Sequence, residues 1–203
     1  MASADVSEAV APASAGDDAV LAALHTRLAG AAQSEGLLDI AYTVIDSPVG
    51  PLLLAATDTG LVRVAFGCEG VDTVLQDLSA RISPRILAAP ERLAAPAAQL
   101  GEYFAGTRRT FELELDLRLT SGYRRTVVQQ LQRIGYGHTA TYAGIAAATG
   151  NPGAVRAVGT ACGRNPLPLV IPCHRVLRSD GTTGGYLGGP AVKKTLLDLE
   201  AAA

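Results

Sequence analysis

Short apolar runs separated by turn residues form the first regular pattern in the chain. The runs cover residues 40–45, 52–56 and 61–66. Between them lie the turn sequences Ser47-Pro48-Val49-Gly50 and Asp58-Thr59-Gly60. Short strands joined by such turns predict a three-stranded antiparallel meander.

The pattern then changes to helical periodicity, which covers residues 71–82 and 90–104. Strict alternation returns over residues 111–117, and its apolar positions are Phe111, Leu113, Leu115 and Leu117. We therefore expect two helices and one further strand to complete a small α/β domain that ends near residue 117.

The segment before this domain, residues 1–36, is rich in Ala, Ser and Gly. It contains one weak helical stretch, 18–31, whose apolar positions are Val20, Leu21, Leu24 and Leu28. We expect a partly disordered, alanine-rich extension with one docked helix, and we assign it no chemistry.

After residue 117 the periodicity predicts mainly helices. The first covers residues 122–134 and has an apolar side formed by Val127, Val128, Leu131 and Ile134. Thr141 can cap a second helix that runs to Thr149 and is ended by Gly150, and Asn151 can cap a third with Pro152 in its first turn. Two short helices joined by a tight Gly-Asn-Pro turn predict a helix-turn-helix.

The predicted third helix has two different faces. Val155, Val158 and Cys162 share the face expected in the core, where a cysteine behaves as a small hydrophobe. The other face carries Gly153, Arg156, Thr160 and Gly163. Small residues around one arginine would let the helix backbone approach a DNA groove closely.

Composition is that of a soluble globular protein, with 48% hydrophobic and 18% charged residues over 203 positions. No apolar run reaches the length of a membrane span. A secretory signal would begin with basic residues, whereas this chain begins with Asp5, Glu8, Asp17 and Asp18, so we expect a cytoplasmic protein. Its cysteines are odd in number and widely spaced, which favours free thiols over disulfides or a CxxC metal site; they are Cys68, Cys162 and Cys173.

Charge is divided unevenly along the chain, although the net charge is only −2. Residues 117–179 contain eight arginines and no Asp or Glu, whereas residues 1–116 contain sixteen acids and seven arginines. A purely solvated surface would normally intersperse acids among the arginines. The asymmetry therefore favours a half that binds a polyanion, joined to a more acidic support.

The segment Ile171-Pro172-Cys173-His174-Arg175-Val176 is the first candidate for chemistry. Positive charge beside a cysteine favours the thiolate, which is the nucleophilic form. On its own, however, a cysteine next to a histidine is also consistent with an ordinary buried cysteine.

The same segment closely resembles the active-site signature of the O6-alkylguanine-DNA alkyltransferases, also called methylated-DNA–protein-cysteine methyltransferases. The resemblance extends from about Gly122 to Glu200 and is carried, at the family's spacings, by residues 141–146, 156–159, 165–166, 185–189 and 193–200. The Ser47-Pro48-Val49-Gly50 turn and the strands after it also resemble the family's amino-terminal domain.

The resemblance implies an α+β fold of two domains. Residues 37–117 would form a small ribonuclease-H-like α/β support with a three-stranded antiparallel sheet. Residues 118–203 would form a helical, winged-helix-like domain with a helix-turn-helix that binds DNA and accepts the alkyl group.

An activity is implied as well: repair of O6-alkylguanine in DNA by stoichiometric, irreversible transfer of the alkyl group to Cys173. The partner would be double-stranded DNA carrying alkylated bases. We expect no cofactor, no membrane attachment and a monomer. Whether O4-alkylthymine is also accepted stays open.

The family's catalytic roles fall on four residues. His174 would draw off the Cys173 proton through a water, and Glu200 would orient the imidazole. Tyr142 would help to rotate the damaged base out of the stack and would donate its hydroxyl to a ring nitrogen of the leaving guanine. In the last helix, Glu200 lies at the edge of a stripe formed by Val192, Leu196 and Leu199, although a solvated helix end is the alternative for Glu200.

DNA-binding roles fall mainly on the third helix. Arg156 would fill the gap left by the rotated base, and the other DNA-binding positions would be Tyr142, Gly153, Ala157 and Thr160. The pocket for the base would be formed by Asn165, Val176, Tyr186 and Leu187. Within it, a backbone N–H of the Tyr186-Leu187 loop would serve O6, and Asn165 would tie the turn before the active-site strand to the helix-turn-helix.

Departures from the family pattern concern packing rather than chemistry. Val128 stands where a bulkier residue is usual, and Gly135 replaces a turn proline. Cys68 and His25 cannot complete the tetrahedral zinc site of some members, so no metal is expected. A second alkyl-accepting domain is also missing.

Two other classes of protein are alternatives. A DNA-binding regulator or damage flag would resemble the alkyltransferase-like proteins, but those lack the cysteine. A Cys-His hydrolase would have no need of a basic helix-turn-helix.

Overall fold

The computed structural model describes residues 15–202, which fall into two compact units divided after Leu37. The first unit holds helix α1 (Ala15–Ser34). The predicted helix is therefore present, but its apolar positions are exposed rather than buried: Val20, Leu21, Leu24 and Leu28 are each more than half exposed. The remainder of the predicted extension, residues 1–14, lies outside the described residues.

The second unit begins with the predicted meander. Strands β1 (Ile40–Ile45), β2 (Leu52–Thr57) and β3 (Gly60–Phe66) pair antiparallel in chain order. A fourth strand, β4 (Ile86–Ala88), pairs parallel to β1 and gives the order β3-β2-β1-β4. Alternation did not predict β4 because three residues are too few to show a period.

Two helices accompany this sheet, as predicted. Helix α2 (Val71–Arg81) buries Val74 and Leu78 in a core shared with the sheet residues Ile40, Leu53 and Val62. Helix α3 (Ala94–Phe104) follows a 3-10 turn and buries Pro96, Leu100 and Tyr103. Burying a side chain such as Leu78 contributes about 1.5–3 kcal/mol to stability.

The strand predicted at residues 111–117 is absent. Only Leu115 bridges to the sheet, through hydrogen bonds that join Leu61 N to Glu114 O and Asp116 N to Leu61 O, both at 2.9 Å. The Asp116 carboxylate then accepts a hydrogen bond from Arg118 N at 3.0 Å and caps a 3-10 turn. This turn directs the chain away from the sheet before a ladder can form.

The second half is helical, as predicted. Helix α4 (Gly122–Leu131) is followed by β5 (Ala140–Thr141) and α5 (Tyr142–Ala148). Helix α5 begins at the expected cap, because the Thr141 hydroxyl accepts a hydrogen bond from Gly144 N at 3.0 Å. Gly150 follows the helix with φ of 75°, a conformation that favours glycine.

The third helix, α6 (Val155–Gly163), begins later than predicted. Asn151 does not cap it; Asn151 O instead accepts a hydrogen bond from Ala154 N at 3.0 Å and closes a turn. Val155 therefore lies in the first turn of the helix and is exposed, so its prediction as a core residue is wrong. The buried face consists of Val158, Ala161 and Cys162.

The chain then passes through a buried loop to a 3-10 turn (Cys173–Arg175) and to β6 (Val176–Leu177), which pairs parallel to β5. The last helix, α7 (Gly189–Ala201), buries Lys193, Leu196 and Glu200. None of the helices within residues 15–202 combines the length and the apolar character needed to cross a bilayer.

Candidate active site

Cys173 is the first residue of its 3-10 turn and is buried. The residues before it form a loop rather than the expected strand, and Asn165 holds this loop in place. Asn165 Nδ2 donates to Ile171 O at 2.8 Å and to Cys173 Sγ at 3.2 Å, while its Oδ1 accepts from Leu167 N at 3.1 Å. Asn165 thus touches the thiol itself, in addition to the structural role that was expected of it.

The environment of Cys173 favours the thiol over the thiolate. Burial raises the pKa of Cys173 to about 11, and the hydrogen bond from Asn165 and the charge of Lys193 oppose this only in part. The expectation that flanking positive charge favours the thiolate is therefore wrong, because the Arg175 guanidinium pairs with a carboxylate instead. A base is needed to make Cys173 nucleophilic at neutral pH.

His174 is fully buried and pairs with Glu200: its Nε2 lies 2.9 Å from Glu200 Oε1. Burial lowers the pKa of His174 despite the carboxylate beside it, so the ring is neutral. Because the carboxylate can only accept, Nε2 carries the proton and Nδ1 keeps a lone pair. Among the described residues, this buried Nδ1 has no hydrogen-bond partner.

Glu200 is a buried carboxylate rather than a solvated helix end, with 4% of its surface exposed. Arg175 donates to it twice, from Nε to Oε2 and from Nη2 to Oε1, each at 2.8 Å. Gly137 N donates to Oε2 at 3.2 Å, and the Tyr103 hydroxyl donates to Oε1 at 2.8 Å. Burial disfavours the charge, but the hydrogen bonds from His174 and Arg175 and the charge of Arg175 outweigh it and lower the pKa of Glu200 to about 2.

An open groove of about 500 Å³ lies on the helix-turn-helix side of the second half. It is lined by Arg156, which was predicted to fill the gap left by the rotated base. Three other predicted DNA-binding or pocket residues line it as well: Tyr142, Tyr186 and Leu187. Three further predicted DNA-binding residues, Gly153, Ala157 and Thr160, are exposed on α6 or in the turn before it, outside this lining. Val176 is buried and its carbonyl accepts from Lys193 Nζ at 2.6 Å.

The loop before α7 packs tightly against Tyr142. A Cβ atom placed on Gly184 would lie 2.5 Å from Tyr142 Oη, whereas one on Gly185 would meet nothing within 4 Å. Glycine at position 184 therefore allows the loop to lie on the tyrosine. Burial raises the pKa of Tyr142, which keeps its hydroxyl protonated as a donor.

Tyr186 joins the loop to both halves of the fold. Its ring packs edge-on to Phe66 of β3, with 5.5 Å between centroids, and to His174 at 6.3 Å. Its hydroxyl is buried and makes no hydrogen bond within residues 15–202.

Three residues of the site were not predicted individually: Tyr103, Arg175 as the partner of Glu200, and Lys193. Lys193 is fully buried and shares a helix face with Leu196 and Glu200; in the sequence it stood out only as the first residue of the 193–200 segment that carries the family resemblance. Tyr103 gave no signal, because a tyrosine on the apolar face of a helix is usually a core residue.

The arginines of the basic half differ in availability. Arg175 is buried on Glu200, and Arg118 pairs with Asp116. The other six are exposed or half-buried and form no ion pair within the described part of the chain; they are Arg124, Arg125, Arg133, Arg156, Arg164 and Arg178. Over the same residues, no group of three or more His, Cys, Asp or Glu side chains could hold a metal ion.

Known protein families match both halves of the chain. The 6-O-methylguanine DNA methyltransferase ribonuclease-like domain matches residues 40–117, and the DNA-binding domain of the same family matches residues 122–202. A methylated-DNA–protein-cysteine methyltransferase of Mycolicibacterium paratuberculosis is 43% identical over 161 residues, which are 79% of this chain and 92% of that protein. A constitutive enzyme of the same name from Bacillus subtilis is 39% identical over 163 residues, 78% of this chain and 94% of its own length.

Solved structures agree with these relatives. The O6-methylguanine methyltransferase of Mycobacterium tuberculosis superposes with a TM-score of 0.71 at 37% identity, covering 80% of this chain and 93% of that one. The Mycobacterium tuberculosis OGT in complex with DNA superposes with a TM-score of 0.69 at 38% identity, with the same coverage. The chain therefore belongs to the 6-O-methylguanine DNA methyltransferase family, whose members among its relatives are methylated-DNA–protein-cysteine methyltransferases.

Proposed function

We propose that this protein repairs O6-alkylguanine in DNA by transferring the alkyl group to Cys173 in one irreversible turnover. One observation carries the proposal: a buried thiol is followed directly by a neutral histidine whose far nitrogen is fixed on a buried carboxylate, Glu200. The family to which the chain belongs supports the substrate class.

Proton removal is the first step. The Cys173 proton passes to His174 Nδ1 through a water, since Nδ1 carries the ring's free lone pair. The imidazolium that forms is stabilised by Glu200, 2.9 Å from Nε2. The strong preference of Glu200 for its ionised form supports this role.

Alkyl transfer follows. The Cys173 sulfur bonds to the alkyl carbon while the bond from that carbon to O6 breaks, and its electron pair goes to the guanine. A proton from the Tyr142 hydroxyl to a ring nitrogen then neutralises the leaving base, and the proton on His174 restores the tyrosine. The product is a thioether, which has no ionisable proton and no leaving group, so the protein acts once.

Access to the alkyl group requires the damaged base to leave the helical stack. Arg156 would take the place of the base in the duplex, and its exposed position on α6 at the rim of the groove supports this. Tyr142 would crowd the sugar-phosphate backbone beside the rotated base. A backbone N–H of the Tyr186-Leu187 loop would serve O6, with Val176 and Asn165 completing the pocket.

The proposal is tested by mixing the protein with a duplex that carries one O6-methylguanine. We expect one lesion to be lost per protein molecule, with no further loss when more duplex is added. Cys173→Ser is the matched control and should bind the duplex without removing the lesion. Binding by the wild type without loss of the lesion would instead indicate a DNA-binding regulator.

Several finer points stay predictions: the range of alkyl groups, activity on O4-alkylthymine, a monomeric state and a cytoplasmic location. The three cysteines are free thiols.

A further inference from the structure

Tyr103 connects the amino-terminal half of the fold to the Cys173 site. It lies on α3, its side chain is fully buried, and its hydroxyl donates to Glu200 Oε1 at 2.8 Å. The same oxygen is the partner of His174 Nε2. All other donors to Glu200 that the structure describes come from residues after Gly122: Gly137, His174 and Arg175.

We propose that Tyr103 is a positioning residue for alkyl transfer: its hydroxyl holds Glu200 Oε1 on His174 Nε2 and thereby ties the amino-terminal half to proton removal at Cys173. The proposal rests on the proposed function of this site. Tyr103 touches neither the thiol nor the base, and it acts only through Glu200.

The geometry gives Tyr103 two effects on the carboxylate. Three donors converge on Oε1, namely Tyr103 Oη, His174 Nε2 and Arg175 Nη2. The tyrosine holds the carboxylate of α7 from α3, an element of the amino-terminal half. It also draws negative charge from Oε1 that would otherwise stabilise the imidazolium of His174.

Tyr103 can act only as a donor. Burial, together with the negative charge of Glu200, raises the pKa of Tyr103 far above its ordinary value, so the hydroxyl keeps its proton throughout the working range. The hydroxyl can therefore donate to the carboxylate wherever Glu200 is ionised.

The pKa of His174 depends on several groups that face it or lie nearby. Burial lowers it, Glu200 raises it, and the cations Arg175 and Lys193 lower it further. The Tyr186 ring packs edge-on to the imidazole. Removing the Tyr103 hydroxyl leaves more negative charge at Glu200 Oε1 for the imidazolium, so the expected direction is an increase in the pKa of His174.

The test is the single-turnover rate of alkyl transfer from free O6-benzylguanine to the full-length protein, measured across pH. In Tyr103→Phe, His174 should become protonated at a higher pH than in the wild type. The acid limb of the profile should therefore move up by about 0.5–1 pH unit. The plateau rate should fall by about three- to tenfold because the carboxylate is less well fixed.

Tyr136→Phe is the matched control. Its ring packs against Tyr103 at 6.1 Å between centroids, but its hydroxyl lies 3.4 Å from Leu199 O rather than on Glu200. We expect its profile to coincide with that of the wild type.

Replacement of Tyr103 by 3-fluorotyrosine provides a second variant that keeps the shape of the core. Its hydroxyl is a stronger donor, so the acid limb should move to lower pH, opposite to Tyr103→Phe. Wild-type profiles for both variants would overturn the proposal, and if Tyr103→Phe does not fold, the fluorotyrosine variant decides alone. Failure of the wild type to transfer the benzyl group would instead contradict the proposed function.

Discussion

A thiol whose pKa is about 11 keeps its proton at neutral pH, and only about one Cys173 in 10⁴ would be a thiolate at pH 7. Burial thus protects the thiol from oxidation, but it also makes the thiol a poor nucleophile. Reactivity must come from the neighbouring His174, which is neutral and has one ring nitrogen fixed on Glu200. Burial therefore keeps Cys173 as an unreactive thiol until His174 removes its proton.

His174→Gln tests whether His174 is the base that removes the Cys173 proton, because glutamine can still donate to Glu200 but cannot accept the thiol proton. At neutral pH we expect transfer from O6-benzylguanine to slow by about 10²–10⁴-fold. The remaining rate should rise about tenfold per pH unit towards the pKa of the thiol, since only preformed thiolate reacts. Single-turnover rates across pH give both quantities.

His138→Gln is the control, since His138 is exposed and its ring is hydrogen-bonded to the Tyr136 carbonyl rather than to Glu200. A His174→Gln variant as fast as the wild type at pH 7 would contradict the role of His174 as base.

Arg156→Ala should separate reaction with duplex from reaction with the free base. Only a duplex requires a base to be rotated out, so we expect a loss on the order of 10–100-fold with the methylated duplex and little change with O6-benzylguanine. Arg133→Ala, which removes another exposed arginine outside the groove, controls for the loss of one charge. Equal losses on both substrates would place Arg156 in the pocket or in the fold.

Single residues differ in how far they can be predicted. Cys173 and His174 stand in a short, specific signature, and Glu200 follows at the family's spacing. Tyr103 could not be predicted, because its partner lies 97 positions away and the contact depends on how α3 packs. Arg175 was placed in the basic surface because a charge count does not show that its guanidinium is buried on Glu200.

At the level of elements, the loop that precedes α7 positions Tyr142 through Gly184. Gly184→Ala would place a Cβ 2.5 Å from Tyr142 Oη and must displace either the loop or the ring. Displacements of about 1 Å at a reacting group cost about 10²-fold in rate, so we expect transfer from O6-benzylguanine to fall on the order of 10–100-fold. Single-turnover kinetics measure the loss.

Gly185→Ala is the neighbouring control, because its Cβ would meet no protein atom within 4 Å although it lines the same groove, and its loss of rate should be much smaller than that of Gly184→Ala. Loss of activity in both variants would mean that the loop needs flexibility at any position. Unchanged activity in Gly184→Ala would show that the hydroxyl of Tyr142 is not needed where it lies.

Elements defined by long periodic patterns were predicted well, and those defined by local hydrogen bonds were not. The meander, α2, α3, α4 and α5 follow from periodicity and caps. The start of α6 was misplaced because a Gly-Asn-Pro-Gly turn can either cap a helix or precede one. Alternation at residues 111–117 failed because a strand also needs a partner along its length, and only Leu115 has one.

At the level of the whole molecule, the uneven charge along the chain becomes a surface with unpaired arginines. Arg118 and Arg175 are held by carboxylates, which leaves six arginines of residues 117–179 without an ion pair in the described structure. Five acids of the first half pair with arginines of that same half; they are Asp39, Asp58, Glu69, Asp77 and Glu102. The basic half is therefore not neutralised by its support.

Affinity for undamaged duplex should consequently depend strongly on salt. If three to five arginines meet phosphates, log affinity should fall by roughly 0.9 per contact for each unit of log salt, or roughly a hundredfold for a fourfold rise in salt. Sequence preference should be slight, because Gly153 and Thr160 offer little to recognise bases. Fluorescence anisotropy on two unrelated duplexes across a salt series measures both.

Arg85→Ala is the control for this series, because Arg85 belongs to the acidic half and is paired, and its slope should be that of the wild type. A flat salt response would contradict the assignment of the arginines to phosphates. A strong preference for one duplex would favour a sequence-specific regulator.

Intact-mass spectrometry after reaction with a duplex carrying one O6-methylguanine shows whether Cys173 accepts the alkyl group. Each protein molecule should gain one methyl group in place of a proton, and peptide mapping should place the methyl on Cys173. An unchanged mass, or a methyl found on Cys68 or Cys162, would contradict it.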